Sequence, residues 1–175
     1  MQEEFDVAHL DKEDFLSVYR TTMGHAASAY SRDGGHTWTR PEPLRYRPGG
    51  RMVKQPRACN KIWKTPNGRY VLWFHDNGTT TYNNGFNSGS RNLAWLCAGR
   101  LKDGQVWWSE PELVAYVNGG LEGCSYPDLI EEGGMDVGKQ AELADLTDGN
   151  CERGGDGVFR PVFRGEAFYL SLIHI

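Results

Sequence analysis

The sequence predicts an all-β chain of four-stranded antiparallel units of the β-propeller kind, and three observations predict it. The first is composition. Aromatic residues make up 12% of the 175 residues and 22 glycines punctuate them, which suits many short strands joined by turns rather than long helices. The second is a corner motif. Ser31, Asp33, Gly35 and Trp38 stand in the spacing S-x-D-x-G-x-x-W, with short polar side chains to accept from the turn's own N–H groups, glycine to supply positive φ, and a tryptophan to bury apolar area beneath. The third is repetition. An offset of 70 residues (108 − 38) places Trp108-Ser-Glu-Pro-Glu-Leu113 on Trp38-Thr-Arg-Pro-Glu-Pro-Leu44 and Asp103 on Asp33. A long period filled with short strands marks an array of blade-like units. The second copy is degenerate, with Leu101 and Gln105 where Ser31 and Gly35 stood.

Taken in order, residues 5–10 and 15–21 read as a strand pair around the polar turn 11–14, because both runs are rich in apolar and β-branched side chains. Residues 25–31 make a third strand leading into the corner. Residues 37–44 make a fourth, whose prolines blunt its free edge. A Gly-Gly linker over 45–54 follows. Residues 58–65 and 69–76 then form the next inner pair around Pro66-Asn67-Gly68. Residues 77–90 are polar and without alternation, a loop long enough to serve function. Residues 92–98 and 106–113 complete the second unit, and 125–132 open a third with Gly133-Gly134 as the expected turn. Residues 1–134 thus amount to about two and a half blades, and a propeller needs at least four to close, so the chain reads as a piece of a larger protein. Residues 135–175 form an unassigned tail. Over 135–157 it is acidic, Gly-rich and without an apolar alternation that could supply a strand partner for 125–132. Its end, 170–175, resembles a translated sequencing adapter, consistent with frame damage.

Charge and cysteine usage narrow the function classes. A formal net charge of −4 with no basic run argues against nucleic acid, whose phosphates require clustered Lys and Arg. No stretch of 18 apolar residues exists to span a membrane. Cys59, Cys97, Cys124 and Cys151 show neither C-x-x-C spacing nor matching histidines, so they read as buried thiols rather than a zinc site. No metal or other cofactor is called for. His25 and His75 read as hydrogen-bonded turn residues rather than acids or ligands.

The corner motif resembles the Asp box (BNR repeat) of the sialidase, or neuraminidase, superfamily, and the strand pairs around it are similar to blades of that family's six-bladed propeller. The resemblance covers residues 3–132. Because such a corner lies on the outer rim of many unrelated propellers, function has to come from inner-strand residues. Glu3-Glu4-Phe5-Asp6-Val7, a turn, and then Leu16-Ser17-Val18-Tyr19-Arg20 resemble the unit in which a catalytic Glu opens one inner strand and a substrate-binding Arg closes the next. Glu4 and Arg20 are 16 residues apart (20 − 4), which returns both to one mouth of a hairpin. Arg91-Asn92-Leu93 is similar to the segment with the family's following substrate arginine, and Gly123-Cys124-Ser125-Tyr126-Pro127-Asp128-Leu129 to the one bearing its nucleophilic tyrosine.

The resemblance implies an extracellular or periplasmic glycoside hydrolase, a retaining exo-sialidase acting on sialylated or other acidic glycans. Arg20 and Arg91 would clamp the substrate carboxylate, since a planar guanidinium binds it bidentately. Arg57 competes for a clamp position on the inner rim. Tyr126 would be the nucleophile, a neutral group where a carboxylate would be repelled by the substrate's own charge. Glu4 would draw the proton of a phenol whose ordinary pKa is about 10. No residue matches the family's remaining clamp arginine or its Asp general acid, so the chain alone is expected to be inactive. A non-catalytic Asp-box propeller that binds glycans or proteins is the alternative, and a glycosidase for a different acidic sugar a third reading.

Overall fold

The computed structural model describes residues 4–80, 91–116, 124 and 126–130, together with the strand segments 158–159, 162–163, 166–167 and 169–172. No α-helix occurs among the described residues. The first sheet has the order β1 (Phe5–His9), β2 (Phe15–Tyr19), β3 (Ala27–Ser31), β4 (Glu42–Pro43), antiparallel throughout. The second runs β5 (Lys61–Lys64), β6 (Tyr70–Phe74), β7 (Ala94–Lys102), β8 (Gln105–Trp108), with β9 (Glu112–Ala115) also pairing β7. β8 and β9 take successive halves of one long strand, so each sheet is four strands deep with a broken outer edge. This is part of a β-propeller, as the sequence predicts.

Alternation decides which side chains face where. Ala8, Leu16 and Val18 from the first sheet meet Ile62, Tyr70, Leu72, Phe74, Val106 and Trp108 from the second in one core. β6, an unbroken apolar run, is buried on both faces. Its Val71 and Trp73 join Ala94, Leu96, Ala115 and Cys124 in a second core, against which Leu129 of β10 (Pro127–Ile130) packs. Polar bonds tie the innermost strands of the two sheets together: the Ile62 N–H donates to Asp6 Oδ2 at 3.0 Å, and Lys64 Nζ and the Tyr70 hydroxyl both donate to the Leu10 carbonyl. Cys59, Cys97 and Cys124 are buried free thiols; Cys151 lies outside the described residues.

Four expectations need correction. Trp38 does not bury itself beneath the corner: it is 37% exposed, and its indole N–H donates to the Gly35 carbonyl at 3.0 Å. The expected strand over 37–44 shrinks to Glu42–Pro43, because prolines at 41 and 43 lack the N–H that a longer ladder needs. The segment 45–54 is no plain linker but a hairpin, with Arg45 bridged to Met52 and the Val53 N–H donating to the Leu44 carbonyl. Asp103 does not play the part of Asp33. With φ of 52° and 74°, Asp103 and Gly104 form the tip of a two-residue hairpin joining β7 to β8, the pairing such positive φ values favour.

Beyond residue 134, short strands occur at β11 (Val158–Phe159), β12 (Val162–Phe163), β13 (Glu166–Ala167) and β14 (Tyr169–Leu172). β14 pairs antiparallel with β10, and β11 with β14, so residues 169–172 of the unassigned tail form the strand beside β10. Residues 131–157, with the Gly133-Gly134 turn and the segment expected to lack a strand, lie outside the described residues, as do residues 81–90 of the expected loop.

Candidate functional site

The hairpin register delivers the first two candidates. Phe5 pairs with Tyr19, and one step further the Arg20 N–H donates to the Glu4 carbonyl at 2.8 Å, so Glu4 and Arg20 sit opposite each other at one mouth. Their side chains meet there: Arg20 Nη1 lies 2.6 Å from Glu4 Oε1, with the arginine side chain 11% and the glutamate side chain 35% exposed. The same carboxylate oxygen accepts the Tyr126 hydroxyl at 3.2 Å, across 122 residues of sequence. Glu4 Oε2 is buried without a hydrogen-bond partner among the described residues.

Tyr126 comes to this point on an unusual backbone. Its φ is +54°, a region that bulky side chains rarely enter and that accumulates at functional sites. It precedes Pro127, the first residue of β10, and the preceding segment is pinned where the Cys124 N–H donates to the Arg91 carbonyl at 2.9 Å.

Arg91 completes the cluster electrostatically. Burial lowers its pKa; Tyr126 and Glu4 oppose that shift, while Arg20 and Arg57 add to it, so all five groups share one field. The guanidinium stays charged, as arginine does in proteins. Its Nη2 donates to the Arg57 carbonyl at 2.8 Å, which gives Arg57 a backbone part in the site. Glu4, Arg20 and Tyr126 thus meet directly, and Arg91 and Arg57 stand within the same electrostatic field. Ser31, Asp33, Gly35 and Trp38 form a separate corner on the rim.

Three groups at this mouth carry no motif that would have singled them out. The Cys59 thiol is pushed up to about 11, first by burial, with Lys61 and Arg20 opposing and Glu4 and Asp6 adding, so it stands protonated beside the Glu4–Arg20 pair. Gln55 is fully buried, and so is His75, whose pKa burial drives down to about 4 against the support of the Leu93 carbonyl and with a further push from Arg91. A cleft of about 620 Å³ runs from Tyr126 and Pro127 along the innermost strands, past Asp6, His9, Lys61 and Trp63.

This arrangement can hold an anion and move a proton: guanidinium groups bind a carboxylate, and a phenol within hydrogen-bond reach of a carboxylate can give it a proton. The fold that carries it is sialidase-like. NanB sialidase from Streptococcus pneumoniae, in a mutant crystal structure, superposes with a TM-score of 0.54 at 18% identity over 73% of this chain. A structure described as NanB plus Optactamide gives 0.53, again at 18% identity over 73%. The chain spans 18% of the length of each. No protein-family model matches, and no curated protein matches by sequence.

Proposed function

We propose that this chain is part of a sialidase-like glycoside hydrolase and supplies its nucleophile, proton acceptor and two arginines of its carboxylate clamp. The observation that carries the reading is the contact chain Tyr126 Oη, Glu4 Oε1, Arg20 Nη1, at 3.2 and 2.6 Å. In the proposed step the Tyr126 proton passes to Glu4 as the phenolic oxygen bonds to the anomeric carbon of a terminal sialic acid. The glycosidic C–O bond breaks and its electron pair leaves with the aglycone, which takes a proton from a general acid supplied by another part of the propeller. Water then attacks the anomeric carbon with retention, giving a proton back to the deprotonated general acid, while the Tyr126–sugar bond breaks and Glu4 returns its proton to the phenolic oxygen. Arg20 and Arg91 hold the sugar's carboxylate, a group that calls for a guanidinium fork rather than a point charge. The Asp box serves the scaffold.

Two experiments test this. Titration of the chain with N-acetylneuraminic acid and with its methyl ester, followed by NMR, should give binding of the acid alone. Arg20→Lys should weaken that binding and Tyr126→Phe should leave it largely intact. In a protein carrying the whole propeller, Tyr126→Phe should abolish most turnover of an aryl sialoside with little change in ligand affinity. Wild-type-like turnover in that variant would remove Tyr126 from the mechanism, and binding with no turnover in the unaltered propeller would favour a glycan-binding module.

A further inference from the structure

Three segments must be held in register for the mouth to exist: residues 55–60, which carry Arg57; residues 91–93, which carry Arg91; and the approach to Tyr126. Gln55 and His75 stand between the first two. Gln55 has no solvent exposure. Its Oε1 accepts the His75 N–H at 2.8 Å, which fixes the amide orientation, and its Nε2 donates to the carbonyls of Ala58 at 3.0 Å and Cys59 at 3.4 Å. His75, just past the end of β6, is 2% exposed. Its ring stands edge-on to Trp73 at 6.0 Å, and its Nδ1 lies 2.9 Å from the Leu93 carbonyl. A carbonyl only accepts, so Nδ1 carries the hydrogen and Nε2 the lone pair. Leu93 is two residues from Arg91, whose side chain donates to the Arg57 carbonyl and whose own carbonyl accepts from Cys124. The path therefore closes on itself: 55 to 75 to 93, through 91 to 57 on one branch and to 124 on the other.

We infer that His75 is a positioning residue: seated by Gln55, it holds the 91–93 segment so that the Arg91 guanidinium is presented to Glu4 and Tyr126. Only its ligand readout rests on the carboxylate-clamp reading above. The device suits its place. A loop that must present a charged side chain has few apolar contacts to fix it, and a buried side-chain-to-backbone bond sets the geometry without adding a charge.

The test uses two amides that differ in where the donor sits. In His75→Asn the amide nitrogen falls near the position of Nδ1; in His75→Gln it falls nearer Nε2. Arginine side-chain ¹⁵N NMR of the chain, with the Arg91 signal assigned by its loss in Arg91→Lys, should show a restrained guanidinium in the wild type and in His75→Asn. His75→Gln and His75→Leu should both release it. Binding of N-acetylneuraminic acid should weaken about five- to tenfold in His75→Gln and His75→Leu, the range expected for one lost hydrogen bond, and change less than about twofold in His75→Asn. Should His75→Leu fail to fold, the Asn and Gln pair still decides. An Arg91 signal unchanged across the folded variants, or Asn and Gln behaving alike, would overturn the inference. Failure of the wild-type chain to bind the sugar acid would count against the proposed function and leave the NMR comparison standing.

Discussion

The two outer corners of the sheets close in the same way and are held by different forces. In the first, the Thr39 N–H donates to the Tyr30 carbonyl at 2.8 Å and the Tyr30 N–H donates to Thr39 Oγ1 at 3.0 Å. In the second, Ser109 and Ala98 repeat both bonds at 2.7 and 3.0 Å. Between these closures the first corner is a polar knot. Ser31 Oγ donates to Asp33 Oδ1 and accepts from the Gly35 N–H, while Asp33 accepts from the Thr37 N–H at 2.8 Å and from its hydroxyl at 2.6 Å. The second corner is two residues longer (109 − 98 against 39 − 30) and has a regular hairpin tip. Trp108, directly opposite Gly99, lies across it with 8% exposure. Trp38 and Trp108 each precede the closing residue, one open to water and one in the core. Side-chain acceptors and aromatic burial are therefore interchangeable means of shutting one corner geometry.

The corners also touch. Arg32, which pairs with Asp14, donates to the Gly104 carbonyl, and the Tyr30 hydroxyl accepts from the Val106 N–H at 3.2 Å. Breaking either lock is thus felt locally first and across the sheets second.

The largest effect should come from Trp108→Ala, which empties a core position and should cost about 3–5 kcal/mol of unfolding free energy, measured by urea denaturation. Next comes Gly99→Ala. A Cβ there would stand 2.6 Å from Trp108 Cζ3 and 2.7 Å from Val106 Cγ1, and overpacking of this kind costs about 1–3 kcal/mol. The two should not add: in the Trp108→Ala background Gly99→Ala should cost less than in the wild type, because only the Val106 contact remains, and strict additivity would mean that the Trp108 contact is not what keeps position 99 a glycine.

The polar corner should respond to acid instead. The Asp33 carboxyl is held down at about 2, first by the Thr37 hydroxyl and N–H and then by Ser31, below the ordinary aspartate value of about 3.9. Between those values the unfolded chain binds more protons than the folded one. The stability Asp33 contributes is therefore complete above about pH 4 and lost as the pH falls through about 2. Asp33→Asn should flatten that acid limb, and an unchanged profile would show that the knot contributes nothing to stability. Smallest of all, Trp38→Phe removes one exposed bond to Gly35 and should cost about 0.5 kcal/mol; a cost as large as that of Trp108→Ala would refute the distinction between the corners.

What could be read in the sequence follows the same division. The polar knot spans eight residues and its partners are local, so S-x-D-x-G-x-x-W was enough to place it. The Glu4–Arg20 meeting is set by one hairpin register and was legible from a separation of 16. The contact between Tyr126 and Glu4 spans 122 residues; it was anticipated through a family resemblance and by no local rule. The repeat itself misled where it was anchored on tryptophan. The strand closures put 98 on 30, an offset of 68, and only after the turn does it become 70, so matching Asp103 to Asp33 crossed an insertion. The burial of Trp108 against the exposure of Trp38 was not legible either, because it depends on a glycine opposite one of them. Gln55 escaped for a similar reason: a buried polar side chain leaves no periodic trace when its partners are backbone groups of distant loops. His75 read as a hydrogen-bonded residue, and only its partners, Gln55 and Leu93, were not legible.

The broken outer edges of the two sheets bear on how such a chain behaves at high concentration. β4 is two residues long, and the second sheet ends in two four-residue strands offset by an irregularity between Ala94 and Trp95. Pro43 lies in β4 and Pro111 just before β9, each lacking the N–H that a neighbouring chain would need. An incoming strand therefore finds no uninterrupted row of donors and acceptors along either rim. The outward edges resist templating fibrils or sheet-to-sheet aggregates, and this protection stems from the same prolines and corner closures that end each blade.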